Sequence, residues 1–211
     1  MSRTFLLSPA YAGGKRARMI MSERAQFELA RRLRSDDRPT LGEVFSFLSG
    51  LYFRGKLAYA NVFAQPAPGT SGVLVITPNR GLVPAVSKIG IEDLREFGMV
   101  DIDAEDPQYR EPLERDVKKL ARKLTANCEV VLLGSVATGK YVDILLASFG
   151  KQLRFPSEFV GRGDMSRGGL LLRCAADGTE PTYISVEGGP KRKTSGEAGA
   201  AKIQEGMTKL E

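Results

Sequence analysis

The stretch VVLLGSVATGKYVDILL, Val130 to Leu146, decides how this chain is read. A short, continuously apolar, β-branched run ends in Gly134, the mark of a buried strand. Apolar residues at helical spacing follow Lys140. Strand, glycine turn and helix in this order belong to an α/β architecture.

The same stretch resembles a phosphate-binding loop, which needs G-x-x-x-x-G-K followed by Ser or Thr. Gly134, Gly139 and Lys140 satisfy the spacing, but Tyr141 stands where the small hydroxyl that holds Mg²⁺ belongs. Thr138 precedes Gly139 instead of following Lys140, and no later apolar run ends in a metal-holding Asp. Three readings stay open: a nucleoside-triphosphate site, a non-hydrolytic phosphate contact through loop amides and Lys140, or a plain structural turn.

The chain of 211 residues, 42% of them hydrophobic, suits one globular domain. No histidine is present, which excludes Ser-His-Asp and Cys-His catalysis and histidine metal sites. Cys128 and Cys174, each in or beside a strand-like apolar run, read as buried thiols, not as a disulfide framework. No metal site or cofactor is expected. The absence of a long apolar run and the order of the first residues, apolar before basic, point to a cytoplasmic protein without a membrane partner. The net charge is +6, with basic clusters from Lys15 to Arg38 and Lys191 to Lys193. This balance favours nucleic acid or a phosphorylated small molecule as partner.

Further strands are expected at Thr4 to Leu7, Gly72 to Pro78, Met99 to Asp103 and Arg154-Phe155. Leu170 to Cys174 and Thr182 to Val186 read as a hairpin around Asp177-Gly178. Helices are expected over Ala25 to Leu33, from the capping box Thr40 to Glu43 through Leu51, over Leu57 to Ala64, Ile91 to Phe97 and Glu111 to Leu124. Tyr52 to Lys56 interrupts the second and third of these. The alternation predicts a single three-layer α/β sandwich over 1–187, with a mainly parallel central sheet and flanking helices. Residues 188–211 read as a basic, Gly-rich, partly disordered tail in which Ala201 to Leu210 could be helical.

In such sheets ligands bind beyond the carboxyl ends of the strands. Four loops fall there, and each carries Gly with Lys or Arg. The first supplies Ser8, Lys15 and Arg16, and the second Arg80. The third supplies Gly134, Ser135, Gly139 and Lys140, and the fourth Arg162 and Arg167. These are the candidate phosphate or nucleotide contacts, because Arg binds phosphate in bidentate fashion and Gly lets a backbone approach it. Asp164 and Glu158, in the fourth loop, are the candidate acid and base. Tyr52, Phe53, Arg54, Lys56 and Tyr59 interleave aromatic and basic residues, a pattern suited to base stacking. Core packing is the stronger reading for all of these but Arg54 and Lys56.

LLSPA at the start, then VLVITPNRGLVPA, VVLLGSVATGKYVDIL and FPSEFVGRGDMSRGG, run in an order that resembles the YaaA-type peroxide-stress proteins. The order is also similar to that of the uracil-DNA glycosylase superfamily, through Pro156-Ser157 and Arg162-Gly163. The resemblance implies a nucleic-acid or nucleotide setting, in DNA maintenance or stress defence. It does not carry glycosylase activity: Phe155 stands where those enzymes have His before Pro, and SPAYAGGKR offers no water-activating Asp or Asn.

The leading expectation is a nucleic-acid-associated α/β protein that holds a phosphate backbone and a base or nucleotide. Its alternatives are a small-molecule enzyme or sensor for a nucleotide or phosphorylated metabolite, and a non-catalytic interaction subunit.

Overall fold

The computed structural model describes residues 2–137 and 139–187; the expected tail, 188–211, lies outside them. Strands β1 (Ser2–Leu7), β2 (Val73–Ile76), β3 (Leu82–Pro84), β4 (Cys128–Leu133), β5 (Leu153–Pro156) and β6 (Tyr183–Ser185) form one sheet in the order β3-β2-β1-β4-β5-β6. The four central strands are parallel, and β3 and β6 pair antiparallel at the two edges. Phe5, Leu6 and Leu7 of β1 and Val130 to Leu133 of β4 are fully buried. Central parallel strands are covered on both faces, so they read as unbroken apolar runs.

The helices are α1 (Lys15–Met21), α2 (Glu28–Leu33), α3 (Leu41–Ser49), α4 (Leu51–Phe63), α5 (Ile91–Phe97), α6 (Pro107–Ala121), α7 (Gly139–Phe149) and α8 (Asp164–Asp177). The path from β1 to β2 crosses the sheet one way, and the paths from β2, by way of the edge strand β3, to β4 and from β4 to β5 cross it the other way. Right-handed crossovers then put their helices on opposite faces. Accordingly α4 packs on β1, β2 and α8, while α6 packs on α7 and β3 and α7 on β5. The result is the expected α/β sandwich, with antiparallel edges added.

The Thr40 capping box forms as its pattern requires. The Glu43 amide donates to Thr40 Oγ1 at 3.2 Å, and the Thr40 amide donates to Glu43 Oε2 at 2.7 Å. The hydrogen bond from Arg32 and that from the Thr40 amide hold the Glu43 carboxyl down at about 2.

Four local expectations are corrected. Tyr52 to Lys56 does not interrupt a helix: α3 ends at Gly50, whose φ of 65° ordinary residues resist, and α4 runs unbroken from Leu51. Met99 to Asp103 is not a strand; Met99 is exposed and both flanks of β1 are already taken. Leu170 to Cys174 lies within α8, so the glycine-rich loop ends at Gly163. Asp177-Gly178 is therefore a helix end, with Gly178 at φ 64°, and β6 pairs with β5. Cys128 is buried in β4, whereas Cys174 is only partly buried, on α8.

Gly168 explains why a glycine-rich segment is helical. A Cβ there would stand 2.8 Å from Leu51 O and from Tyr52 Cα, and a Cβ at Gly55 would stand 2.5 Å from Gly168 O. Glycine costs a helix about 1 kcal/mol relative to alanine. Here two glycines let the backbones of α4 and α8 touch, and that contact sets the geometry of the site.

Candidate functional site

The parallel strands β2, β1, β4 and β5 end at one edge of the sheet. The chain leaves β1 toward β2 and leaves β4 toward β5, so the loops after β1 and β4 diverge. Ligand crevices of open α/β sheets lie at such a point. Ser8 and Gly134 line its floor: the Ser8 amide donates to Leu133 O at 3.1 Å, and a Cβ on Gly134 would meet Ser8 Cβ at 2.8 Å.

Lys56, one and a half turns into α4, reaches this floor. It is 1% exposed, and its Nζ lies 2.7 Å from Ser8 O and 2.9 Å from Ser8 Oγ. Among the described residues no carboxylate pairs with it directly. Burial pushes its ammonium down to about 7, and the more distant charge of Asp164 offsets part of the effect. The rings of Tyr52 and Phe53 lie 4.6 and 4.8 Å from Nζ and favour the cation.

Two phenols, Tyr52 and Tyr141, flank the pair, and a third, Tyr109, lies near Tyr141. Tyr141 Oη accepts from the Ser135 amide at 3.0 Å and lies beside Ser8 Oγ. Tyr52 and Tyr109 are buried, and their hydroxyls lack a well-aligned partner. Burial raises all three phenols, most strongly Tyr52 and Tyr109. Arg167 closes one side next to Tyr52. Its guanidinium donates to Phe159 O at 3.2 and 3.0 Å, caps the Phe159 ring at 5.3 Å and lies 3.9 Å from Asp164.

The candidate residues thus divide. Ser8, Gly134, Ser135 and Arg167 converge on the crevice. Asp164 is exposed beside it, on the first turn of α8. Lys15, Lys140 and Arg162 are exposed on its surrounding loops and helix starts and make no ion pair among the described residues; the Arg162 guanidinium donates to Ser166 Oγ at 3.1 Å. Arg16 turns away to Phe47 O, at 3.1 Å. Gly139 opens instead onto a cleft of about 260 Å³ between α6 and α7.

Two candidates are absorbed by the fold. Arg80 pairs with Asp93 and Glu96, each at 2.6 Å, and stacks on Phe97. Glu158 accepts from the Thr182 amide at 3.1 Å and from Ser157 Oγ at 2.9 Å, tying the end of β5 to the start of β6. Burial raises its carboxyl, but amide and hydroxyl donors outweigh that and hold it below the ordinary range.

The loop after β4 also answers the phosphate-loop question in part. Tyr141 both replaces the metal-holding hydroxyl and occupies the Ser135 amide, removing one donor from any anion cradle. No three His, Cys, Asp or Glu side chains cluster to hold a metal among the described residues. A broader groove of about 700 Å³ lies away from the strand ends, between α2, α3 and α4 near Phe27, Arg32, Glu43 and Arg54. Its Arg32 is held by Glu43 and Asp37.

Lys56 and Tyr52 appear in the sequence only as part of an aromatic-basic pattern, and Tyr141 only as a misfit. A lysine on the same helical face as Tyr52, Phe53, Tyr59 and Ala60, all buried, is the signal that a core position carries a charge-bearing group. No helix among the described residues is long and apolar enough to cross a membrane. No protein-family model matches the chain, and neither a curated protein nor a solved structure is detectably similar to it.

Proposed function

We propose that the crevice at the ends of β1 and β4 binds a phosphate-bearing nucleotide unit, and that the protein meets it as part of a nucleic acid. The observation that carries this reading is the concentration there of polar groups the fold itself leaves unused. The Tyr52 hydroxyl is buried beside Lys56 without a well-aligned partner, and Lys15, Lys140 and Arg162 stand around the crevice with no ion pair among the described residues. Exposed Tyr11, in the loop after β1, offers a face for stacking a base. The resemblance to YaaA-type proteins agrees with a role in DNA maintenance or stress defence.

A small-molecule enzyme or sensor for a nucleotide is the second reading, favoured by the buried, carboxylate-free Lys56. Fluorescence anisotropy with labelled single- and double-stranded DNA and RNA separates the two. The first reading expects binding that weakens linearly in log salt, and a slope shallower by about two for Lys140→Ala/Arg162→Ala. Absence of binding to every polymer at low salt overturns it, and a free-nucleotide thermal-shift screen then tests the second.

A further inference from the structure

We propose that Ser8 and Lys56 form a nucleophile–base pair that attacks the phosphorus of a phosphoester held in the crevice. The inference rests on reading that crevice as a site for a phosphate-bearing ligand.

The geometry is that of an activated serine. Ser8 Oγ lies 2.9 Å from Lys56 Nζ, within reach for direct proton transfer. A serine–lysine arrangement needs no histidine, and this chain has none. The hydrogen-bond inventory suits a neutral amine. Nζ has two polar partners, Ser8 O, which can only accept, and Ser8 Oγ, which can also donate. An amine that gives one N–H to the carbonyl and takes the Oγ proton on its lone pair satisfies both. A cation would stay buried with no carboxylate in contact, which is costly. Burial accordingly brings the lysine into the range where the free amine is populated near neutral pH. Ser8 keeps 8% of its surface exposed, and Arg167 with the surrounding cations supplies positive charge for the anion being attacked.

In the first step the Ser8 hydroxyl proton passes to Lys56 Nζ as the Oγ–P bond forms. The P–O bond to the leaving alkoxide breaks, and the alkoxide takes the proton from the Lys56 ammonium. The products are an alcohol and phosphorylated Ser8. Water, deprotonated by the regenerated amine, then attacks phosphorus and displaces Oγ, which recovers the proton. Besides Lys56, the titratable or charged groups facing this pair are Tyr52 from α4, Tyr141 from α7, and Asp164 and Arg167 from α8. Burial raises both phenols, so they stay protonated across the neutral range.

The full chain is treated with an alkyl fluorophosphonate, and the adduct is located by peptide mass mapping. The proposal expects one adduct on Ser8, with fluoride released and a rate that climbs through about pH 7. Ser8→Ala removes the adduct, and Lys56→Met slows it by about 100-fold or more. No adduct on Ser8 at pH 9, or a rate indifferent to Lys56→Met in a variant that circular dichroism shows to be folded, overturns the proposal. If Lys56→Met does not fold, the wild-type profile decides: an inflection near 7 supports the pair, and a flat profile overturns it. Bis(p-nitrophenyl) phosphate and p-nitrophenyl acetate fix the substrate class: a stoichiometric burst from the phosphodiester supports it, and reaction with the acetate alone overturns the phosphorus assignment. Polymer binding by the wild-type chain, measured by anisotropy, is read separately: its absence counts against the nucleic-acid reading while an adduct on Ser8 still supports the pair.

Discussion

Two parts of the same sheet edge look alike in sequence and differ in the fold. The loop after β2 and the surroundings of the loops after β1 and β5 all combine glycine with basic residues. Around β2 the basic side chain and the turn amides find partners, and Asn79 Oδ1 is the exception, buried without a hydrogen bond. Thr77 closes on Gly81 through its amide and hydroxyl, the Leu82 amide reaches Asp116 on α6, and Arg80 is held by two carboxylates and a ring. Around β1, among the described residues, Lys56 has only serine oxygens as hydrogen-bond partners, and the Tyr52 hydroxyl has no well-aligned partner. Basic residues and glycines mark both strand-end loops, and what separates them is a buried amine with no direct carboxylate partner among the described residues.

The largest expected effect tests the helix contact behind the second region. Gly168→Val should destabilise the protein by about 3 kcal/mol, because its side chain meets the backbone of Leu51 and Tyr52 at van der Waals overlap. At about 2–4 °C per kcal/mol for a chain of this size, the melting temperature should fall by about 6–12 °C. A thermal melt within about 2 °C of the wild type would mean that α4 and α8 do not need their close approach.

Next comes the buried lysine. Its folded-state pKa of about 7 lies below the ordinary lysine value. Between those two values the unfolded chain holds a proton that the folded chain lacks, so stability rises with pH across that window. Below about pH 7 both states are protonated, and the cost of burying the charge is fully felt. Lys56→Met should remove this slope, shifting the variant-to-wild-type stability difference by on the order of 3 kcal/mol between pH 6 and 9.5. Urea unfolding at the two pH values checks it. Parallel curves would place Lys56 in the same satisfied class as Arg80.

The smallest effect sharpens the contrast from the other side. Arg80→Ala should cost no more than about 1 kcal/mol, since its guanidinium and Glu96 are both well exposed, and should leave nucleic-acid affinity unchanged. A loss of affinity equal to that of Lys140→Ala/Arg162→Ala, measured by anisotropy, would erase the distinction between the two regions.

Much of the fold was legible because the central strands are apolar without interruption and Thr40 caps a helix by local chemistry alone. The helix α8 was not legible. GRGDMSRGG has the composition of a loop, and only the surface of α4 makes Gly168 worth its helical cost. The four strand-end loops were correctly grouped by topology, since parallel strands must end on one edge. Which of their residues converge was not legible: Arg80 and Glu158 have the right chemistry but find partners from α5 and from the approach to β6. Lys56 was noticed, and its place on an apolar helical face marks it as inward-facing, but nothing local shows that it faces Ser8, 48 positions earlier in the chain.

By itself the sequence determined the α/β alternation, the buried parallel strands, the exclusion of histidine chemistry and the edge where the strand-end loops gather. These depend on periodicity and composition, which act locally or on the chain as a whole. Only the tertiary structure decided which charges are spent on the fold and which polar groups remain. That depends on contacts between residues distant in sequence, and above all on two glycines that bring α4 against α8 and carry Lys56 beneath the end of β1.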